Sequence, residues 1–295
     1  MIHIIGTGLS GLVGSRIVEL LSDKYSFEDI SRSTGTDITN KEAVRERMEK
    51  SSSKIVLHFA AKTNVDGCEL DKHLGENGDA WKINVEGTEN IVAACEATHK
   101  KLVYISTDFI FDGEHPSIGG YTEDDDPRPV NWYAMTKYEG EQRVEEANIP
   151  WVIARIAYPY RGVYTKNDFF RAILNGLQQG KPIRAVTDHF FCPTFIDDIA
   201  HACTVLLDTN ATGIYHVTGS QALSPYEAAL NIAEKFNLDT HSISKTTRAE
   251  YFKDKAPRPF DLSMNNGKIK TLGIEMKTFE EGLNAIKSQI DSVSS

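Results

Sequence analysis

Cysteine is scarce in this chain: four residues, Cys68, Cys95, Cys192 and Cys203, with no CxxC pair and no compact Cys/His cluster. That spacing supports neither a disulfide framework nor a zinc site, and no ligand cluster for another metal is visible. Long apolar runs are missing as well, none approaching the ~20 residues of a membrane span. Basic charge is in deficit, with 32 Lys and Arg against 42 Asp and Glu, a net charge of −10. Binding to a phosphate backbone needs a basic face, so nucleic acid is not an expected partner. An anionic small molecule is admissible through a local cationic patch that overcomes the global field. The opening MIHIIGTG lacks the charged leader and cleavage site of an export signal and reads as a strand, so the expected location is the cytoplasm. Repeats and low-complexity segments are absent. With 295 residues, 40% apolar and 25% charged, the composition is that of one large globular domain or two closely joined ones.

Short apolar runs alternate with helix-period segments: IHII then GLVGSRIVELL, KIVLHFAA then AWKINVEGTENIVAACEA, KLVYIST then YAMTKYEGEQRVEEA, then WVIARIA. That alternation predicts βαβ units around a parallel sheet, a Rossmann-type doubly wound α/β fold. After WVIARIA the pattern loosens to a helix near NDFFRAILNGLQQG, a strand at GIYHVTG and a mostly helical final third interrupted at APRPF. The expected division is a dinucleotide-binding domain, 1–155 and 185–219, with a smaller, mostly helical substrate lobe, 156–184 and 220–295. Thr39 with Glu42, and Ser224 with Glu227, fit capping boxes that open helices. GEHPSIGGYTEDDDPRPVN reads as a long exposed loop, of a length usually tied to function.

GTGLSGLVG follows the first strand and opens the first helix, the placement a dinucleotide loop requires. Two registers overlap, Gly6-x-Gly8-x-x-Gly11 and Gly8-x-x-Gly11-x-x-Gly14, and both bring backbone amides and a helix N-terminus to a pyrophosphate. Gly8, Leu9, Ser10, Gly11, Leu12, Val13 and Gly14 are therefore the expected cofactor contacts. The second strand should end at the adenosine ribose, where NAD specialists usually carry an acid. Here EDISRS ends in Ser31 and Arg32, while Asp29 falls too early and sits inside the strand. A hydroxyl and a guanidinium suit a 2′-phosphate, which favours NADPH over NADH, although a solvated polar loop fits those residues equally well. Asp37 and Ile38 fall where they can meet the adenine.

Tyr133 and Lys137 in NWYAMTK stand four apart on one helix face, and so do Tyr251 and Lys255 in YFKDK. Strand context separates the pairs. KLVYISTDF puts Ser106, Thr107 and Asp108 at the carboxyl end of a buried strand, and the next helix brings Tyr133 and Lys137 beside them. Tyr251 and Lys255 follow no such strand and read as a surface pair.

TGLSGLVG, Asn84 in INVEGT, STD at a strand end and YAMTK together resemble the extended short-chain dehydrogenase/reductase family. STDFIFDG, WYAMTKYEGE, CPTF and RPFDLSM are similar to the dTDP-4-dehydrorhamnose reductases within it, with the motifs in order from residue 2 to roughly 275. The resemblance implies reduction of a 4-keto sugar linked to a nucleotide, with hydride from NADPH and the proton from Tyr133. A free phenol titrates near ~10, so work near neutrality asks for a shift of ~3 units, about 4 kcal/mol. Lys137 is expected to supply part of it and to hold the nicotinamide ribose. Thr107 is expected on the substrate oxygen, and Ala60, Ala61 and Thr63 match the family's cofactor-contacting stretch. Ser106, Thr107, Asp108, Tyr158 and Arg258 are the expected substrate residues, Tyr158 replacing the more common Trp and Arg258 facing a diphosphate or forming a salt bridge. Phe109 stands where related dehydratases carry a proton-transferring Glu, which disfavours dehydration. Ala134 in YAMTK and the extra residues of DKHLGENGDAWK depart from the usual pattern. Family members are often homodimers. The alternatives are a sugar-nucleotide epimerase on the same frame and a non-catalytic NADP-binding regulatory subunit, as the methionine adenosyltransferase beta subunit is.

Overall fold

The computed structural model describes residues 1–293. The chain begins β1 (Ile2–Thr7), α1 (Leu12–Leu21), β2 (Tyr25–Ile30), α2 (Lys41–Lys50), β3 (Ile55–His58) and α3 (Val65–Asp71). It continues through the one-turn α4 (Asp79–Trp81), a π turn at Lys82–Glu86, α5 (Gly87–Thr98), β4 (Lys101–Thr107), α6 (Trp132–Glu145) and β5 (Trp151–Ile156). The strands β6 (Pro159–Tyr160), β7 (Ile183–Val186), β8 (Phe190–Phe191) and β9 (Thr194–Phe195) are short, with α7 (Phe169–Gln178) after the first of them. Then come α8 (Ile196–Asp208), β10 (Gly213–His216), α9 (Pro225–Lys235), β11 (Ile243–Thr246), α10 (Arg248–Tyr251), β12 (Asp261–Leu262), α11 (Gly267–Lys270) and α12 (Phe279–Val293).

Six strands form the central sheet in the order β10-β5-β4-β3-β1-β2, each pair parallel. Side chains alternate across it, as the two-residue period of a strand demands. Ile4, Leu57, Val103 and Val152 pack with Ile199 and Cys203 of α8 on one face. Ile5, Val56, Leu102, Tyr104 and Ile153 pack with Val44, Met48 and Ile91 on the other. Burying each such aliphatic side chain stabilises the fold by about 1.5–3 kcal/mol. Because β2 lies outside β1 while β3 lies on its other side, the chain reverses direction between β1 and β3. Open α/β sheets bind their ligands at the carboxyl end of such a switch point.

The lobe shares its core with the segment 185–195: Phe170, Leu174, Phe191, Phe195, Ile232 and Phe279 pack together. It is less purely helical than its sequence suggests, since β7 pairs with β11, β8 with β12 and β6 with β9. Ser224 and Glu227 form the expected capping box on α9. Thr39 does not cap α2: its hydroxyl donates to Asp37 Oδ1 at 2.9 Å, and Asn40 takes the cap by accepting from the Ala43 amide. The segment expected as an exposed loop is anchored at its middle. Tyr121 is buried, stacks on Phe111 at 4.2 Å and donates to Asp112.

Candidate active site

β1 turns at Gly8, whose φ of 66° favours glycine. A Cβ there would stand 2.7 Å from the Ala60 amide nitrogen, so β3's exit can approach only a glycine. A Cβ on Gly14 would fall 2.6 Å from the Gly8 carbonyl oxygen, so the Gly8-Gly11-Gly14 register builds the loop. Gly6 makes room instead for the side chain of Leu9, which is buried in the interior and does not line the cavity. Gly11 is the N-cap of α1, and no side chain satisfies the helix's first amides. A cradle that a Cβ would fill, opening on an uncapped helix N-terminus, fits a dinucleotide pyrophosphate.

From this loop a continuous cavity of about 980 Å³ runs over the sheet's carboxyl edge. Ser31, Arg32, Asp37 and Ile38 line one end. Arg32 Nε donates to Asp37 Oδ2 at 2.7 Å and the arginine is otherwise solvent-exposed. Asp29 stays within β2, accepts from the Ser31 hydroxyl at 2.7 Å and does not line the cavity. Ala60, Ala61 and Thr63 form the middle wall. The Ala60 amide is fixed on Thr7 Oγ1 at 3.1 Å. Asn84, in the π turn, accepts from the Lys62 amide and donates to the Lys62 carbonyl and to Thr136.

Ser106, Thr107, Asp108, Tyr133, Lys137, Tyr158 and Arg258 meet at the other end. Asn131 caps α6 by accepting from the Ala134 amide at 2.9 Å, and Glu69 of α3 accepts from the Trp132 amide at 2.7 Å. These two caps set the helix that presents Tyr133. Burial drives the Tyr133 phenol upward from its ordinary pKa, opposed by the Thr107 hydroxyl and reinforced by Asp108. The expected downward pull of Lys137 is not what the geometry delivers. Lys137 Nζ donates to the Tyr104 hydroxyl at 2.7 Å and to the Ile105 carbonyl at 2.9 Å. Burial pushes its ammonium down to about 7, against the favourable charge of Glu141. Thr107 Oγ1 donates to Asp108 Oδ1 at 3.0 Å and accepts from the Phe109 amide. Burial pushes Asp108 up to about 7.

The substrate wall is aromatic. Tyr158 sits at φ 38°, a left-handed conformation costing a tyrosine about 1–3 kcal/mol. His189 Nδ1 faces the Pro259 carbonyl at 2.8 Å, so this nitrogen carries the proton and Nε2 accepts from the Tyr158 hydroxyl at 2.8 Å. With its hydroxyl committed, Tyr158 offers the cavity its ring. Arg258 donates to Asp66 Oδ1 at 2.8 Å and to the Ala256 carbonyl at 2.7 Å while lying over the Phe252 ring. It therefore lines the cavity and forms a salt bridge at once. Tyr251 and Lys255 form the surface pair, the ammonium 4.5 Å from the ring centroid.

Phe109, Asp168, Phe169 and Phe252 also line the cavity and were not singled out from sequence as contacts. Tyr104 was missed too, though alternation along KLVYIST puts it on the same face as Ser106. Among the described residues no His/Cys/Asp/Glu group has metal-site geometry, and no helix is long and apolar enough to cross a membrane.

A sequence model of the RmlD substrate binding domain matches residues 2–292. A crystal structure of dTDP-4-dehydrorhamnose reductase from Bacillus anthracis in complex with NADP superposes with a TM-score of 0.89. It is 30% identical, and the match covers 98% of this chain and 100% of that one. The probable low-salt glycan biosynthesis reductase Agl14 of Haloferax volcanii is 28% identical over 98% of both chains. Methionine adenosyltransferase 2 subunit beta of Mus musculus is 30% identical over 94% of this chain and 84% of its own length.

Proposed function

The chain belongs to the RmlD substrate binding domain family within the extended short-chain dehydrogenases/reductases, and from that premise we propose that it is an NADPH-dependent reductase of a nucleotide-linked 4-keto-6-deoxysugar. The observation that carries this reading is one cavity with the glycine loop at one end and Thr107, Tyr133 and Lys137 at the other. NADP, which the similar Bacillus anthracis structure contains, suits a ribose end that offers Ser31 and Arg32. The Gly8–Gly14 loop and α1 would hold the pyrophosphate, Ala60, Ala61 and Thr63 the middle of the cofactor, and Lys137 the nicotinamide ribose. When bound, the reduced nicotinamide supplies the hydride.

The chain's own part is protic and positional. Tyr133, kept protonated by burial, gives its proton to the oxygen of the ketone as the alkoxide forms. Lys137, its ammonium held by Tyr104 and the Ile105 carbonyl, acts through the ribose it would hold rather than by tuning the phenol. Ser106, Thr107 and Asp108 position the sugar ring, Tyr158 offers it an aromatic face, and Arg258 meets the diphosphate. Phe109, which has no proton to move, gives no support to elimination. The reading divides the chain into a dinucleotide part, 1–155 and 185–219, and a substrate part, 156–184 and 220–295, whose last two residues lie outside those described. It sets the protein in the cytoplasm, acting on a small molecule.

Turnover of dTDP-linked 4-keto-6-deoxysugars, followed by loss of reduced-nicotinamide absorbance, tests it. Tyr133→Phe should lower kcat by about 10³-fold while NADPH affinity stays within about threefold. A second reading takes its support from the 30% identity to methionine adenosyltransferase 2 subunit beta: an NADP-binding subunit of another enzyme. Tight NADPH binding without turnover of any keto-sugar would favour that role.

A further inference from the structure

Asp108 is 2% exposed and lines the cavity. Its Oδ1 accepts from Thr107, while Oδ2 is buried and has no partner within the protein. The cations at this end are committed elsewhere. Lys137 spends two of its three donors on Tyr104 and Ile105, and Arg258 is engaged by Asp66 and Ala256. The titratable groups that sense Asp108 are Tyr133 from α6, Tyr158 from the exit of β5 and Cys192 between β8 and β9, all acids that are neutral near pH ~7. A carboxylate here would be a buried charge without a counter-ion, which costs several kcal/mol. Keeping the proton relieves that cost. Since Oδ1 already accepts from Thr107, the proton resides on Oδ2.

We propose that Asp108 acts as a neutral carboxylic acid whose Oδ2–H donates a hydrogen bond to the substrate's carbonyl oxygen, beside Tyr133. The inference rests on the keto-substrate reading above. Two donors then converge on the oxygen that gains charge, and Thr107 serves to orient the acid. Burial places the ionisation of Asp108 at about 7. Its pKa is raised, so the donor is present below that value and lost as pH rises through it.

The test compares wild type, Asp108→Asn and Asp108→Leu, near-isosteres that differ in whether a donor remains. NADPH binding by fluorescence checks that each folds. In wild type, Lys137 and Asp108 both deprotonate on the alkaline side, so log kcat should fall by about two decades per pH unit. Asp108→Asn keeps an N–H donor that does not titrate. It should lose roughly tenfold at the optimum and fall by about one decade per unit. Asp108→Leu should lose about 10²–10³-fold at the optimum, a deficit that narrows as wild type loses its own donor at higher pH. Equal losses in the two variants, or a wild-type slope in Asp108→Asn, would overturn the proposal. The carboxyl itself can be titrated by NMR of ¹³C-labelled aspartate in the NADPH complex, with no substrate present. A resonance absent from Asp108→Asn and titrating near pH ~7 is expected. A carboxyl already ionised at about pH 5 would overturn the proposal even where turnover is high. Failure of wild type to reduce any keto-sugar would sink the reductase reading, and the NMR titration would still decide the state of Asp108.

Discussion

Lys137 Nζ lies 2.7 Å from the Tyr104 hydroxyl and 4.1 Å from the centroid of its ring, so one buried phenol holds this ammonium by lone pair and by π face. Tyr104→Phe keeps the ring and removes the acceptor. The Lys137 pKa, already pushed down to about 7 by burial, should fall further. Because the working form is the cation, activity is lost as pH rises through that pKa, and the alkaline limb of kcat should move about one unit lower. A merely structural tyrosine would lower kcat without moving the limb. Gly8 makes a second test. Alanine there must accept φ 66° and a Cβ 2.7 Å from the Ala60 nitrogen. Gly8→Ala should therefore weaken NADPH by on the order of 100-fold in a fluorescence titration. Residue identity took the reading far at this scale, because strand context distinguished Tyr133 and Lys137 from Tyr251 and Lys255. The Tyr104–Lys137 bond was not legible, since it depends on how closely α6 packs against β4. The Arg258–Asp66 pair joins residues 192 positions apart and was equally hidden.

Among elements, α3 does more than its 7 residues suggest. It leaves the cofactor wall after Thr63. Through Asp66 it holds Arg258 and the Ala256 amide, and through Glu69 it caps the first turn of α6. The APRPF strap is fixed along its length. The carbonyls of residues 256 to 260 accept, in order, from Arg258, Asn131, Arg248, His189 and the Phe190 amide. Glu69→Ala removes a partner of the Trp132 amide. It should cost about 1 kcal/mol of stability by denaturant titration and lower kcat more than it changes NADPH affinity, since Tyr133 is the next residue. Local signals gave the helices well where one side chain decides, as at Ser224 and Glu227. They failed at Thr39, where Asp37 competes for the hydroxyl and leaves Asn40 to cap. They failed also in the long segment before α6, whose Tyr121 is buried by Phe111, a contact that no turn-residue count reveals.

Across the whole molecule, the parallel sheet was readable because four apolar runs, IHII, KIVLHFAA, KLVYIST and WVIARIA, repeat with helices between them. The small two-stranded pairs of the lobe were not, because strands of two to four residues carry too little periodicity. Three histidines are enclosed in this frame: His58 between Thr7 and Thr88, His189 between Tyr158 and Pro259, and His216 beside Arg155. Burial pushes them down to about 3, 4 and 3. Their folded values lie below the unfolded value, so unfolding takes up protons and stability falls as pH drops below about 6.5. Asp108, with a raised value, releases one proton in return. The net uptake of about two protons predicts a loss of roughly 2–3 kcal/mol per pH unit near pH 5.5, measurable by urea unfolding at stepped pH. A pH-independent unfolding midpoint there would show that the histidines are solvated. The reductase reading itself is tested most directly by isotope transfer. With NADPH deuterated at the transferable position of the nicotinamide and a nucleotide-linked 4-keto-6-deoxysugar, mass spectrometry and NMR of the product locate the label. One deuterium at the former carbonyl carbon for each cofactor oxidised is the predicted result. Unlabelled sugar recovered alongside intact, tightly bound cofactor would contradict it.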